Sequence, residues 1–441
     1  MVVTIFCCGT SSTSFDFANE NYFAGETVST LAYNHEGMEF VEWAIFDGPG
    51  SGNLQTEELW AKTFKSPPAK WKGVAFGTGW ENNVEAAIAL LEGKPSYSRT
   101  SHSKSEAKKL LEFLMASHRL RMENRLEVLA KEERGFFGRK KKSKEVKDIF
   151  HRAKKQKESD LSSRPRISPQ ELQAKKVDIF RKKKRDQELE LQPLSEELKK
   201  QLSKRQITGV NLIGWSRGGV TTHMLANKMF QTPSLKHIPV RIVAIDPVPG
   251  KWNFQPHRTK LEANVHQYVG IYAQHEISAG FNPTIPETAP KTTRVIIPIF
   301  GRHATVVGNA SVDGDQRDNK KLKEVGTIVR DLAEKYLASW GTELGNTLDL
   351  SDKQVIELYK KVLEDKALYV KMSETTYTIK DGPPRKVAVG TQDDFVDFDS
   401  VPELQAVEGY VNLHHAALVA RSSPLQGKAL KEKTKGFVLP K

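Results

Sequence analysis

The stretch "GVNLIGWSRGGVTTHM", residues 209–224, decides the fold. An apolar run reaches Gly214 and passes through Trp215, Ser216, Arg217 and Gly218 into a helical pattern over 217–230. Strands that are continuously apolar, rather than alternating, are those covered on both faces. Runs of the same kind occupy 2–8, 40–46, 240–246, 265–273 and 295–300, and a helical pattern, "ENNVEAAIALL", covers 81–91. Strand, helix and strand in repeated order predict an α/β fold, a mostly parallel sheet with helices on both faces.

Working outward, the pattern is interrupted. Residues 99–205 carry 32 Lys and Arg against 17 Asp and Glu, so the whole-chain charge of +13 belongs to this segment and the remainder is close to neutral. The chain therefore divides into a first part of the core at 1–95, a basic helical insertion at 96–206, a second part of the core at 207–345 and a helical or irregular extension at 346–441. Within the insertion "DIFHRAKK" from Asp148 and "DIFRKKKR" from Asp178 are related, too few copies for a solenoid. Arg164, Pro165 and Pro169 separate two helices there, and Leu111, Leu114, Met122, Leu126 and Leu129 form an apolar stripe. After it, helical patterns are expected at 320–338 and 352–365, then an acidic patch at 393–399 and the pair His414 and His415.

The two cysteines, Cys7 and Cys8, are adjacent, with no second pair and no metal-ligand spacing, which predicts a reduced, intracellular protein. No run of 18 apolar residues occurs, and "MVVTIFCC" lacks the basic region and cleavage site of a signal peptide.

A Gly-x-Ser-x-Gly pattern between strand and helix has a mechanical rationale. Small residues on both sides let the chain turn sharply, the hydroxyl stands free, and the helix N-terminus offers N–H groups to a developing oxyanion. The plainer alternative makes Ser216 an ordinary helix N-cap. A serine nucleophile needs a base, and the base needs a group that fixes its tautomer. Asp246, closing the strand "VRIVAI", is the first choice for the acid, against an Asp that opens a turn before Pro247. Glu276 is the alternative acid. His303, after the strand "RVIIPIF", is the candidate base, with His414 in reserve. The oxyanion donors are Arg217 together with Gly9 and Thr10, or else the loop "DGPGSG" at 47–52. No metal or cofactor is called for.

Six elements in order, "CCGT" (7–10), "FDGPGSG" (46–52), "AFGTGW" (75–80), "GWSRGG" (214–219), "IDPVPG" (245–250) and "RHATVVG" (302–308), carry a family likeness. The chain resembles bacterial α/β-hydrolases of the type VI lipase effector kind, the Tle-like phospholipases, and the uncharacterised domain family that contains them. It departs from their pattern at Cys8, where the family has Asp, at Trp215, where it has Phe, and at Pro247, where Asp-Thr-Val is the norm. The basic insertion lies outside the likeness.

The resemblance implies an α/β-hydrolase-like sheet, with Ser216, Asp246 and His303 as nucleophile, acid and base acting on a phospholipid or another carboxylic ester. It also implies a bacterial cytoplasmic protein delivered into a target cell. The clusters Arg139, Lys140, Lys141, Lys142 and Arg181, Lys182, Lys183, Lys184, each beside a phenylalanine, suit adsorption to an anionic membrane. A solvated charged face is the alternative, and no motif for specific nucleic-acid recognition is present. The competing function class is a non-catalytic interaction or membrane-binding protein on the same scaffold.

Overall fold

The computed structural model describes residues 1–10, 12–14, 16–19, 21–49, 79–94, 98–99, 191–192, 196–250, 253–310, 321–374, 384–391, 395–422, 430 and 432–440. The chain divides into two compact units, Met1–Ser96 with Leu194–Lys441, and Tyr97–Pro193. In the second, Ser98–Arg99 pairs antiparallel with Leu191–Gln192. The insertion's apolar stripe and both basic clusters lie outside the described residues.

The first unit is built on six parallel strands: β1 (Val2–Cys7), β2 (Trp43–Phe46), β3 (Gly209–Trp215), β4 (Val240–Ile245), β5 (Val265–Ala273) and β6 (Thr293–Ile299). Their order is β6-β5-β4-β3-β1-β2. All six follow apolar runs read from the sequence. The second begins three residues later than expected, because Phe40 adopts a φ of 67° in a turn that a strand cannot contain.

Alternate side chains of each strand enter two cores. Phe6, Ile213, Trp215, Val243, Ile271 and Ile297 face one way, under α1 (Thr27–Tyr33), α4 (Glu324–Ser339) and α5 (Asp352–Glu364). Ile5, Leu212, Ile242, Tyr268 and Ile296 face the other, under α2 (Trp80–Leu91) and α3 (Arg217–Gln231). Covering both faces removes the need for polar alternation, and each buried aliphatic side chain contributes about 1.5–3 kcal/mol. A later helix, α6 (Leu413–Ser422), packs on α5.

The strand order reverses direction once. The chain leaves β1 outward to β2, then returns to β3 on the opposite side of β1. The helices that follow β1 and β3 accordingly lie on opposite faces of the sheet, a switch of the kind at whose C-terminal strand ends ligands of open α/β sheets bind.

Beyond the sheet, β7 (Lys386–Val389) pairs parallel with Thr284–Ile285 and antiparallel with β8 (Phe395–Asp397). The extension is thereby sewn onto the core beside the ends of β4 and β5.

Candidate active site

Ser216 stands between β3 and α3 with φ 58° and ψ −127°, a conformation costing roughly 1–3 kcal/mol for a residue with a side chain. An N-cap residue ordinarily has extended backbone and a capping side chain. Ser216 has neither, since its side chain makes no capping hydrogen bond. The backbone is held instead: Ser216 N donates to Ile245 O at 3.0 Å, and its carbonyl accepts from Val248 N at 3.2 Å.

The flanking glycines are required by space. A Cβ on Gly214 would lie 2.3 Å from Gly218 O, and one on Gly218 would lie 2.1 Å from Cys7 O. The turn is closed on itself and pressed onto the end of β1.

Asp246 follows β4 and is fully buried, as is His303 but for 4 % of its surface. Asp246 Oδ2 lies 2.6 Å from His303 Nδ1. The same oxygen accepts from Arg385 Nη2 at 2.9 Å, while Oδ1 accepts from Arg385 Nη1 at 2.9 Å and from Ala273 N at 3.1 Å. Burial pushes the Asp246 carboxyl up, but the Arg385 charge and the His303 bond outweigh it and hold the group below the usual carboxylate range. An ionised carboxylate only accepts, so Nδ1 of His303 carries the proton and Nε2 is left as the basic nitrogen.

Glu276, the alternative acid, is engaged elsewhere. Its Oε2 accepts from His303 N at 3.3 Å and its Oε1 from Ser278 N at 2.8 Å, so it fastens the loop and not the imidazole. His414 lies on α6, its Nδ1 2.8 Å from Tyr359 OH, and His415 stacks on the same tyrosine. Burial holds His414 down to about 3.

Trp215 ties serine and histidine loops together. Its Nε1 donates to His303 O at 3.1 Å and its ring lies 5.0 Å from the imidazole. The indole also fills the space where a Cβ on Gly9 would stand, 2.3 Å away. Phe281 meets His303 edge-on at 5.1 Å between ring centres. Among the described residues Ser216 and His303 share no hydrogen bond; such contacts commonly tighten only when substrate is bound.

The loop after β1 borders the turn. Arg217 Nη1 donates to Thr10 Oγ1 at 3.0 Å, and Ser14 N donates to Asp47 Oδ1 at 2.6 Å. A Cβ on Gly48 would lie 1.7 Å from Gly9 O, so the two loops considered for the oxyanion are in contact. Of the second, residues 50–52 lie outside the described residues. Burial, with Arg258 nearby, brings Arg217 down to about 10. Cys7 and Cys8 are buried and neither is in a disulfide, and burial pushes Cys7 up to about 12, which removes it as a nucleophile. Among the described residues no group of three or more His, Cys, Asp or Glu is arranged to hold a metal ion, and no helix is long and apolar enough to cross a membrane.

Arg385 is the residue the sequence does not announce. It lies in "GPPRKVAV", with no motif about it, and reaches Asp246 only through the β7 pairing. A buried acid at the end of a central strand implies a cationic or donor partner, but nothing fixes where along the chain that partner stands.

No family model and no curated protein matches the chain. Among solved structures, an uncharacterized protein from Pseudomonas aeruginosa aligns at a TM-score of 0.33 and 10 % identity, over 78 % of this chain and 46 % of that one. The Tle1 effector bound to the VgrG spike from the Type 6 secretion system aligns at 0.28 and 10 %, over 70 % and 50 %. The chain spans about half the length of either.

Proposed function

We propose that the protein is a serine esterase of the lipase kind, hydrolysing carboxylic esters of phospholipids. Ser216 is the nucleophile, His303 the base and Asp246 the acid that orients it. The observation that carries this is the 2.6 Å contact between His303 Nδ1 and Asp246 Oδ2, beside a serine held at φ 58° after a central strand. His303 Nε2 takes the Ser216 proton as the oxygen attacks the ester carbonyl. The resulting oxyanion is received by the N–H of Arg217 and by N–H groups of the Gly9–Thr10 loop. The imidazolium then protonates the leaving alcohol, and water releases the acyl group by the same route. No sequence reason demands a cofactor.

The phospholipid substrate and delivery into a target cell rest on the resemblance of six sequence elements to those of type VI lipase effectors. The basic clusters at 139–142 and 181–184 suit an enzyme that works at an anionic surface, at about 1 kcal/mol for each charge near the membrane.

The test is release of free fatty acid from mixed phospholipid liposomes by the wild type and Ser216→Ala, with co-sedimentation measured on the same vesicles. Release by the wild type alone supports the enzyme. Equal silence from both, with binding retained, favours the non-catalytic membrane-binding protein.

A further inference from the structure

The Asp246 carboxylate has two tenants. One edge faces His303, as a hydrolytic acid requires, and both oxygens are also gripped by the Arg385 guanidinium, whose side chain is 1 % exposed. Arg385 is itself fastened by the Ala273 carbonyl and, at 3.0 Å, by the Phe281 carbonyl, with the Phe398 ring 5.8 Å away. Phe281 is the residue packed edge-on against His303. Guanidinium, carboxylate and imidazole thus form one connected series, and its first member belongs to the extension after residue 345, not to the sheet.

We infer that Arg385 is a positioning residue of the proposed hydrolytic centre, fixing the plane of the Asp246 carboxylate towards His303 Nδ1, and that the C-terminal extension is therefore part of the active site. The inference rests on the hydrolase reading for its link to turnover, but its physical core is separate. A planar fork gripping both oxygens leaves a carboxylate one orientation, which a single donor does not. It also opposes burial. A wholly buried carboxyl without a cation tends to take up a proton, and a protonated Asp246 no longer secures the Nδ1–H form of His303. The other ionisable groups bordering the pair are Glu276 on the His303 backbone, His275, Arg302 and, through the sheet, Tyr272. Only Arg385 among the described cations is bonded to Asp246.

The experiment compares wild type, Arg385→Met and Arg385→Lys by kcat and KM for a soluble ester across pH. In parallel, the Asp246 carboxyl is titrated by 13C-aspartate NMR in Ser216→Ala proteins with and without Arg385→Met. Loss of the fork is expected to lower kcat at least tenfold with KM within twofold. The acid limb of the profile should move up by about one pH unit or more, and the carboxyl titration should move with it. Lysine, a point charge without the fork, should restore the acid limb but not all of kcat. Should the methionine variants fail to fold, the lysine protein carries the test, since unchanged kcat there refutes the need for a fork. An unshifted carboxyl titration, or a methionine variant with wild-type kcat and acid limb, overturns the inference even if esters are hydrolysed. A wild type that hydrolyses no ester sinks the hydrolase reading, while the titration still decides whether Arg385 governs Asp246.

Discussion

Asp246→Asn tests the energetics of the site. The substitution keeps size and one acceptor but removes the charge that two 2.9 Å hydrogen bonds from Arg385 and one 2.6 Å contact to His303 depend on. Arg385 then remains buried with a full charge, facing a neutral amide oxygen and the backbone carbonyls of Ala273 and Phe281 with no anion to balance it. Removing one member of a buried ion pair costs about 3–5 kcal/mol, because the other is left desolvated and uncompensated. Two charge-assisted bonds at about 1.5–3 kcal/mol each give about 3–6 kcal/mol, an overlapping range. Against a total of about 5–15 kcal/mol this is roughly a fifth or more of the stability. Urea titration followed by circular dichroism measures it. Asp246→Asn with Arg385→Met should be less destabilised than Asp246→Asn alone, by at least about 1 kcal/mol, since the orphaned charge is gone. A loss below about 1 kcal/mol in the single variant, or strict additivity in the double, would refute the ion-pair account. Turnover should fall about 10⁴-fold, since the asparagine amide can donate to Nδ1 and favour the wrong tautomer.

Two further outcomes are expected. Ser216→Gly should be more stable than Ser216→Ala by about 1 kcal/mol, the relief of a strained φ of 58° less glycine's extra freedom in the unfolded chain, with activity lost in both; equal urea midpoints would count against stored strain. His223 and His414 are buried, held by burial at about 4 and about 3, below the roughly 6.5 of an unfolded chain. Their contribution is fully present above that value and is lost as pH falls from 6.5 towards 4, by about 1.4 kcal/mol per pH unit for each. His223→Gln should flatten the dependence of urea midpoint on pH between 7 and 5 by one histidine's share, and an unchanged slope would contradict it.

Much of this fold is legible in the residues because burial on both faces writes itself as unbroken apolar runs. β5 matches its run end to end, and β1 and β4 differ from theirs by one residue. The serine turn is legible for a different reason. Gly214 and Gly218 are demanded by contacts a few residues apart, so the constraint sits in one short motif. Asp246 and His303 follow from strand ends and chain order, and the structure brings the two together while Glu276 takes the backbone of the same loop. Arg385 is illegible because its partner lies 139 residues away and its neighbours in sequence have no periodicity. Likewise α1 leaves little trace: it is seven residues long, with Glu26 as an N-cap in place of the usual Ser, Thr, Asp or Asn.

The return of the chain from β2 to β3 also sets a clock. Each β1 residue pairs with a β3 residue 207 positions later, so the apolar "VVTIFC" has no partner on that side until the intervening chain has been made. At roughly 5–20 residues per second this is about 10–40 s of synthesis, during which two strand edges stand open to misassociation. The carboxylate's clasp comes later still, once residue 385 has left the ribosome. A nascent chain therefore carries Ser216 well before it carries the means to hold Asp246, and whatever chemistry the proposed centre performs waits until residue 385 has emerged.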